Sequence, residues 1–164
     1  MTETKVKLKG LDWINHYLNS ELKMEEINSI LLFTIYWNVL EHYKCDDKFS
    51  IKRIMELVSE YKLKKEDYNE YYIYFKEKYF FGYGIDSFVE SLKFRNNGDK
   101  DFLKITLASE DPTAEQVIGS LFLIIQRLRN NLFHGIKEAR FLSEQERNFT
   151  VANEAIATFL ENTK

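Results

Sequence analysis

The run Gln126-Arg127-Leu128-Arg129-Asn130-Asn131-Leu132-Phe133-His134-Gly135 gathers the residue types that phosphate chemistry uses. Arginine presents a planar, permanently charged fork that matches phosphate oxygens. Histidine, with an unperturbed pKa of about 6.5, accepts and returns a proton near neutrality. Here Arg127, Arg129, Lys137 and Arg140 stand against one acid, Glu138, while the whole chain carries a formal net charge of −3. A small basic spot on an otherwise acidic protein points to a focused anion site, not to a long electrostatic track along a duplex. Cleavage of RNA without a metal asks for three things: a base to activate the 2′-OH, an acid for the leaving 5′-oxygen, and positive charge on the developing phosphorane.

Spacing limits how these groups meet. On one helix Asn130 and His134 are i,i+4 neighbours, and Arg127 and His134, at i,i+7, share that face. Arg129 and His134, at i,i+5, point roughly 140° apart on an ideal helix. They converge only if the last turn loosens or if the helix end of a second chain packs alongside. A two-fold dimer would supply two histidines and two arginines around one phosphate. The expectation is a homodimer with its site at the interface.

The helix carrying these residues has the clearest start signal in the chain. Asp111 is the expected N-cap, Pro112 takes the first helical position, and Glu115 favours the first turn. Val117, Ile118, Leu121, Phe122, Ile125, Leu128 and Leu132 mark one buried stripe, and Gly135 offers the stop. A last helix runs from Ser143 to Asn162, with Ser143 and Glu146 at capping-box spacing. Upstream, helical periodicity predicts Met24 to Lys44, Ile51 to Tyr61 behind a Ser50 N-cap, Glu66 to Phe81 ended by Gly82 and Gly84, and Ile85 to Phe94. Asn96-Asn97-Gly98-Asp99 reads as a turn, and Phe102 to Leu107 fits either a short strand or a helical turn. These patterns predict a single all-α domain over residues 1–164, an up-and-down bundle of five to six helices.

The stretch Arg129-Asn130-Asn131-Leu132-Phe133-His134-Gly135 resembles the signature of the HEPN superfamily (higher eukaryotes and prokaryotes nucleotide-binding). That signature is an Arg, four to six residues and a His, with a polar residue, often Asn, after the Arg, at the end of a helix in an α-helical bundle. RNNLFHG, followed by a charged loop and a further long helix, is most similar to the stand-alone bacterial branch near the Apea-like group. Glu25 to Tyr43, with Trp37 inside it, is similar to the first bundle helix there. The resemblance covers Met24–Lys44 and Asp111–Asn162, and leaves 45–110 as an elaboration between bundle helices. It implies a HEPN-like bundle acting as a metal-independent endoribonuclease, with a composite site in a homodimer and no cofactor. Many relatives are toxins or anti-phage effectors, which implies an antitoxin or defence-system partner protein. Carried over by position, the catalytic set is Arg129, Asn130 and His134. His134 would handle protons and Arg129 would hold the scissile phosphate. Asn130 would orient His134 or bond a phosphate oxygen. Arg127, Lys137 and Arg140 are the accompanying candidates for RNA contact, weighed against plain surface charge. Attack by the RNA's own 2′-OH would leave a 2′,3′-cyclic phosphate and a 5′-hydroxyl. Ile136 stands where a toxin subgroup carries a Tyr two residues after the His, which argues against control by modification there. Some members of the superfamily are inactive, so the alternative is a non-catalytic helical module that dimerises and binds a nucleotide, RNA or protein partner.

The rest of the sequence excludes more than it suggests. Apolar residues make up 45%, enough for a core, and one proline with six glycines excludes collagen-like and turn-rich β architectures. Cys45 is the only cysteine, so no intrachain disulfide forms, and MTETKVKLKGLDW has no signal-peptide core. No apolar stretch approaches the ~20 residues a bilayer requires. A cytoplasmic protein without membrane contact is expected. His42, Cys45, Asp46 and Asp47 read as a helix-terminal His beside loop acids rather than a metal site, for want of a second Cys/His pair at zinc spacing. Nothing recommends His16 for catalysis. Tyr68, Tyr72, Phe75 and Tyr79 fall at helical spacing, which favours core or dimer packing over base stacking. No phosphate-cradling glycine loop, nucleophile elbow or HExxH is present.

Overall fold

The computed structural model describes residues 9–133, 142 and 144–164, and every regular element among them is helical. In chain order these are α1 (Gly10–Leu18), α2 (Met24–Lys44), α3 (Ile51–Glu60), a short 3₁₀ turn (Lys65–Asp67), α4 (Asn69–Ser91), α5 (Asn97–Ala108), α6 (Ala114–Phe133) and α7 (Glu146–Asn162). The all-α class follows the sequence pattern, but among the described residues there are more helices than the five to six expected. The additions are α1, α5 and the 3₁₀ turn.

From Val117 to Ile125 every side chain except Gly119 is a buried one. A helix apolar on all sides can only be stable inside a protein. Accordingly α6 contacts α3, α4, α5 and the 3₁₀ turn, and the Phe122 and Phe159 rings, 4.7 Å apart, join it to α7. Gly119 lets α5 come close: a Cβ there would sit 3.2 Å from the Phe102 ring. The most extensive helix pair is α2 with α7, where Phe33 meets Phe149 edge-on at 4.9 Å. A single core cluster takes in Phe33 and Leu40 of α2, Phe75 and Val89 of α4, Leu103 of α5 and Ile156 of α7. Residues 45–110 therefore pack into the same core as the flanking helices.

Local chemistry sets the boundaries. Ser50 caps α3 by accepting from the Arg53 N–H. The start of α6 differs from expectation. Its cap is Thr113, whose hydroxyl accepts from the Gln116 N–H at 3.3 Å while the Gln116 side chain accepts from the Thr113 N–H at 2.9 Å. This reciprocal pair satisfies two orphan donors at once, and it leaves Asp111 free to pair with Lys65. Asn96 accepts from the Gly98 N–H at 2.8 Å and so opens α5, where a turn was expected. Phe102 to Leu107 is helical, with the Thr106 hydroxyl donating to the Phe102 carbonyl. Gly84, at φ 74 and ψ 164, breaks α4 where the glycines predicted a helix end. The proposed Ser143 cap of the last helix lies outside the described residues.

The tyrosine-rich segment is core where it is described. Tyr68, Tyr72 and Phe75 are buried. Burial pushes both tyrosine hydroxyls up to about 12, and that of Tyr72 donates to the Thr106 carbonyl. The side chain of Tyr79 lies outside the described residues. By contrast α1 buries nothing; Trp13 and Tyr17 stack at 5.2 Å and are 51% and 73% exposed. Asn15 ties α1 to the chain entering α2, through bonds to both backbone groups of Leu22. No described helix is long and apolar enough to cross a membrane.

Candidate functional site

The last turns of α6 combine burial with polarity. Arg129 and Asn130 are half-buried neighbours, and a guanidinium Nη1 donates to Asn130 Oδ1 at 3.1 Å. Asn130 thus steadies the arginine directly. The negative end of the α6 dipole adds a favourable field for a cation in this turn. His134, Lys137 and Arg140 lie outside the described residues, so of the expected catalytic set Arg129 and Asn130 are the pair brought together here.

Arg127 is not a surface charge. Only 8% of it is exposed, its Nε donates to the Leu92 carbonyl at 2.7 Å, and its guanidinium sits 5.7 Å from the centre of the Phe94 ring. Leu92 is the residue that ends α4, where backbone carbonyls lack helical partners. Arg127 supplies a donor there and locks α6 to α4, a structural task in place of the expected RNA contact. Burial, and secondarily the nearby Arg95, lower its pKa from the ordinary guanidinium value.

One turn further along the same face sits Asn131, which sequence reasoning passed over. It is 7% exposed, and its Oδ1 is closed off from solvent with no hydrogen-bond partner among the described residues. The residue lines a cavity of about 110 Å³ with Ser91, Leu92, Leu128, Gln145 and Phe149. Gln145 belongs to a polar chain: its Oε1 accepts from Asn148 Nδ2, and Asn148 Oδ1 accepts from the Tyr74 hydroxyl and from Lys78 Nζ. The signal for Asn131 was available. It follows Leu121 and Leu128 at heptad-like spacing, so it is an amide placed on the buried stripe.

The other candidates resolve simply. His42 Nδ1 and Asp47 Oδ1 share a hydrogen bond at an exposed helix end, and burial raises the pKa of the Cys45 thiol. Among the described residues no three His, Cys, Asp or Glu side chains are grouped to hold a metal ion. His16 is exposed on α1. No family model, curated protein or solved structure matches the chain.

Proposed function

We propose that the protein is a metal-independent endoribonuclease of HEPN-like type that works as a homodimer in the cytoplasm, with a toxin or anti-phage role. The observation that carries this reading is the Arg129–Asn130 pair. It is a half-buried guanidinium steadied by its neighbour, at the end of a core helix, five residues before the one histidine in the Arg-x4-His spacing. A guanidinium held in place before substrate arrives stabilises phosphorane charge without reorganising. His134 would move the proton between the 2′-OH and the leaving 5′-oxygen. A two-fold axis near the α6 ends would supply the second acid–base group.

The test is cleavage of single-stranded and hairpin RNA by the full chain in EDTA. His134→Ala and Arg129→Ala are each expected to slow cutting by about 10²- to 10⁴-fold, the usual range for lost acid–base chemistry. Products should end in a 2′,3′-cyclic phosphate, and an all-DNA strand, lacking the 2′-OH, should stay intact. Cutting of DNA, or undiminished cutting by His134→Ala, would refute the reading. The rival is a non-catalytic module that dimerises and binds a nucleotide, RNA or protein partner. Its support is the exposed apolar surface of α1 and α2, where Trp13, Leu31 and Ile35 are 51%, 48% and 61% exposed. It takes precedence if the wild-type chain cuts none of a broad RNA set.

A further inference from the structure

We propose that the outward face of α2 is a self-association surface, on which the α2 of a second copy of this chain packs antiparallel about a two-fold axis level with Phe33. The contact does not rest on the ribonuclease reading, which asks for a two-fold axis near the α6 ends.

Composition comes first. From Ile27 to Leu40 the chain carries no charged residue, although 30% of the whole sequence is charged. Core packing explains one side of this stretch. Ile30, Phe33, Trp37 and Leu40 belong to the core cluster. The other side faces out, with Leu31, Leu32 and Ile35 48%, 42% and 61% exposed. The solvent side of a surface helix carries polar and charged residues. The centre of a protein interface is depleted of charge and bordered by it. Here charge returns only beyond the stretch, at Glu26 and Glu41.

Spacing comes second, and it selects the occupant. Met24, Asn28, Leu31, Ile35, Asn38 and His42 recur at alternating steps of four and three, the spacing of a coiled-coil seam, and all six are exposed. The seam reads alike from either end. Two copies laid antiparallel, with Phe33 level in both, bring Leu31 opposite the partner's Ile35 and Asn28 opposite the partner's Asn38. Apolar side chains then meet apolar ones, and amides meet amides. Residue i on j and j on i is the reciprocity of a two-fold contact. Facing amides also fix the register, because a slip sets each amide against hydrocarbon without a partner. Antiparallel packing further places the positive end of each helix dipole beside the negative end of the other.

Area comes third. The six seam side chains and the adjoining Ile27, Leu32 and Val39, at about 70 Å² apiece, cover about 600 Å² per copy, or about 1,200 Å² in all, the lower end of specific stable interfaces. A reversible dimer with a Kd on the order of 1 μM fits such a contact.

The experiment is sedimentation equilibrium of the full chain across concentrations spanning that Kd. The expected result is a monomer–dimer equilibrium. Ile35→Glu sets a carboxylate against the partner's Leu31, and symmetry does so twice, so the Kd should rise at least about 100-fold. The side chain of Ile35 stands outside the core, so the circular dichroism spectrum and the urea midpoint of the dilute variant should match those of the unaltered protein. Register is read by oxidising a mixture of Asn28→Cys and Asn38→Cys chains. The mixture should form a cross-linked dimer and neither chain alone should, since a disulfide requires Cα atoms within about 7 Å and Cys45 is buried. A chain that stays monomeric to about 1 mM, a dimer whose Kd Ile35→Glu leaves unmoved, or cross-linking of the Asn28→Cys chain to itself each overturns the proposal. The cross-links decide the matter if Ile35→Glu fails to fold. RNA cleavage is scored separately, and undiminished cutting by His134→Ala removes the ribonuclease reading while leaving the α2 contact in place.

Discussion

From Val117 to Ile125, α6 turns hydrocarbon toward its neighbours on all sides, and Ser120 is the one polar side chain in the stretch. From Arg127 to Asn131 the same helix, still largely buried, carries two arginines and two asparagines. The first stretch follows the rule that a helix buried all round is apolar. The second departs from it and compensates unevenly. Arg127 finds the Leu92 carbonyl and Arg129 finds Asn130, while the Asn131 oxygen, like the Ser120 hydroxyl of the first stretch, has no hydrogen-bond partner among the described residues. The contrast separates a stretch of α6 that holds the fold through hydrocarbon from one that also uses polar contacts, Arg127 to the Leu92 carbonyl and Arg129 to Asn130.

The sharpest way to break this comparison is to damage the hydrocarbon half. Phe122 is fully buried and packs against Phe159 at a centroid distance of 4.7 Å. Phe122→Ala removes that contact and leaves a cavity, and the expected loss is about 3–5 kcal/mol in urea unfolding. The loss should exceed that of any single change between Arg127 and Asn131. A loss below about 1 kcal/mol would mean that this half of α6 is not the anchor of the core.

Arg127→Met probes the polar half and should have a smaller effect. It keeps an apolar stem against Phe94 but takes the donor away from the Leu92 carbonyl, a hydrogen bond from a charged group worth about 1.5–3 kcal/mol. It also relieves the cost of burying a guanidinium that no described carboxylate offsets, which acts in the opposite direction. The expected net destabilisation is about 1 kcal/mol, read as a lower urea midpoint with an unchanged slope. A cost as large as that of Phe122→Ala would erase the distinction between the two halves.

The difference also shows what a sequence discloses. The hydrocarbon half was legible because periodicity is a many-residue signal: Val117, Ile118, Leu121, Phe122 and Ile125 agree with one another, and tertiary packing only ratifies them. The two long helices of the α2–α7 pair were legible for the same reason. Single-residue signals did less well. Asp111 and Thr113 are both good N-caps, and the choice fell to Thr113 because Gln116 completes a reciprocal pair while Lys65, 46 residues upstream of Asp111, takes the aspartate. Asn96 was ambiguous because the same side-chain-to-backbone bond starts a turn or a helix. Arg127 looked like a surface cation because the carbonyl that accepts from it belongs to Leu92, 35 residues away. Arg129 and Asn130 were named from residue type and spacing, and their contact follows from adjacency. The meaning of Asn131 depended on a cavity that the end of α4, Leu142 and the start of α7 help to enclose, and no local pattern encodes that.

The exposed start of α6 gives the smallest effect and the control for the other two. Asp111 is exposed, and the hydrogen bond and charge of Lys65 hold its carboxyl below the usual carboxylate range. A carboxyl depressed in the folded state stabilises the fold above its unfolded pKa, and that contribution is lost as the pH falls through the folded value. Asp111→Asn should therefore lower the thermal midpoint slightly at about pH 7, and the two proteins should converge by about pH 2, where the carboxyl is protonated in both states. Added salt at neutral pH should narrow the gap in the same way, since exposed pairs are screened. Lys65 also donates to the Pro112 carbonyl at 3.1 Å, a bond that neither acid nor Asp111→Asn removes. A difference that persisted unchanged into acid would show that the aspartate acts through shape or backbone contacts, and the polar groups at this end of α6 would then belong with the structural ones at the other.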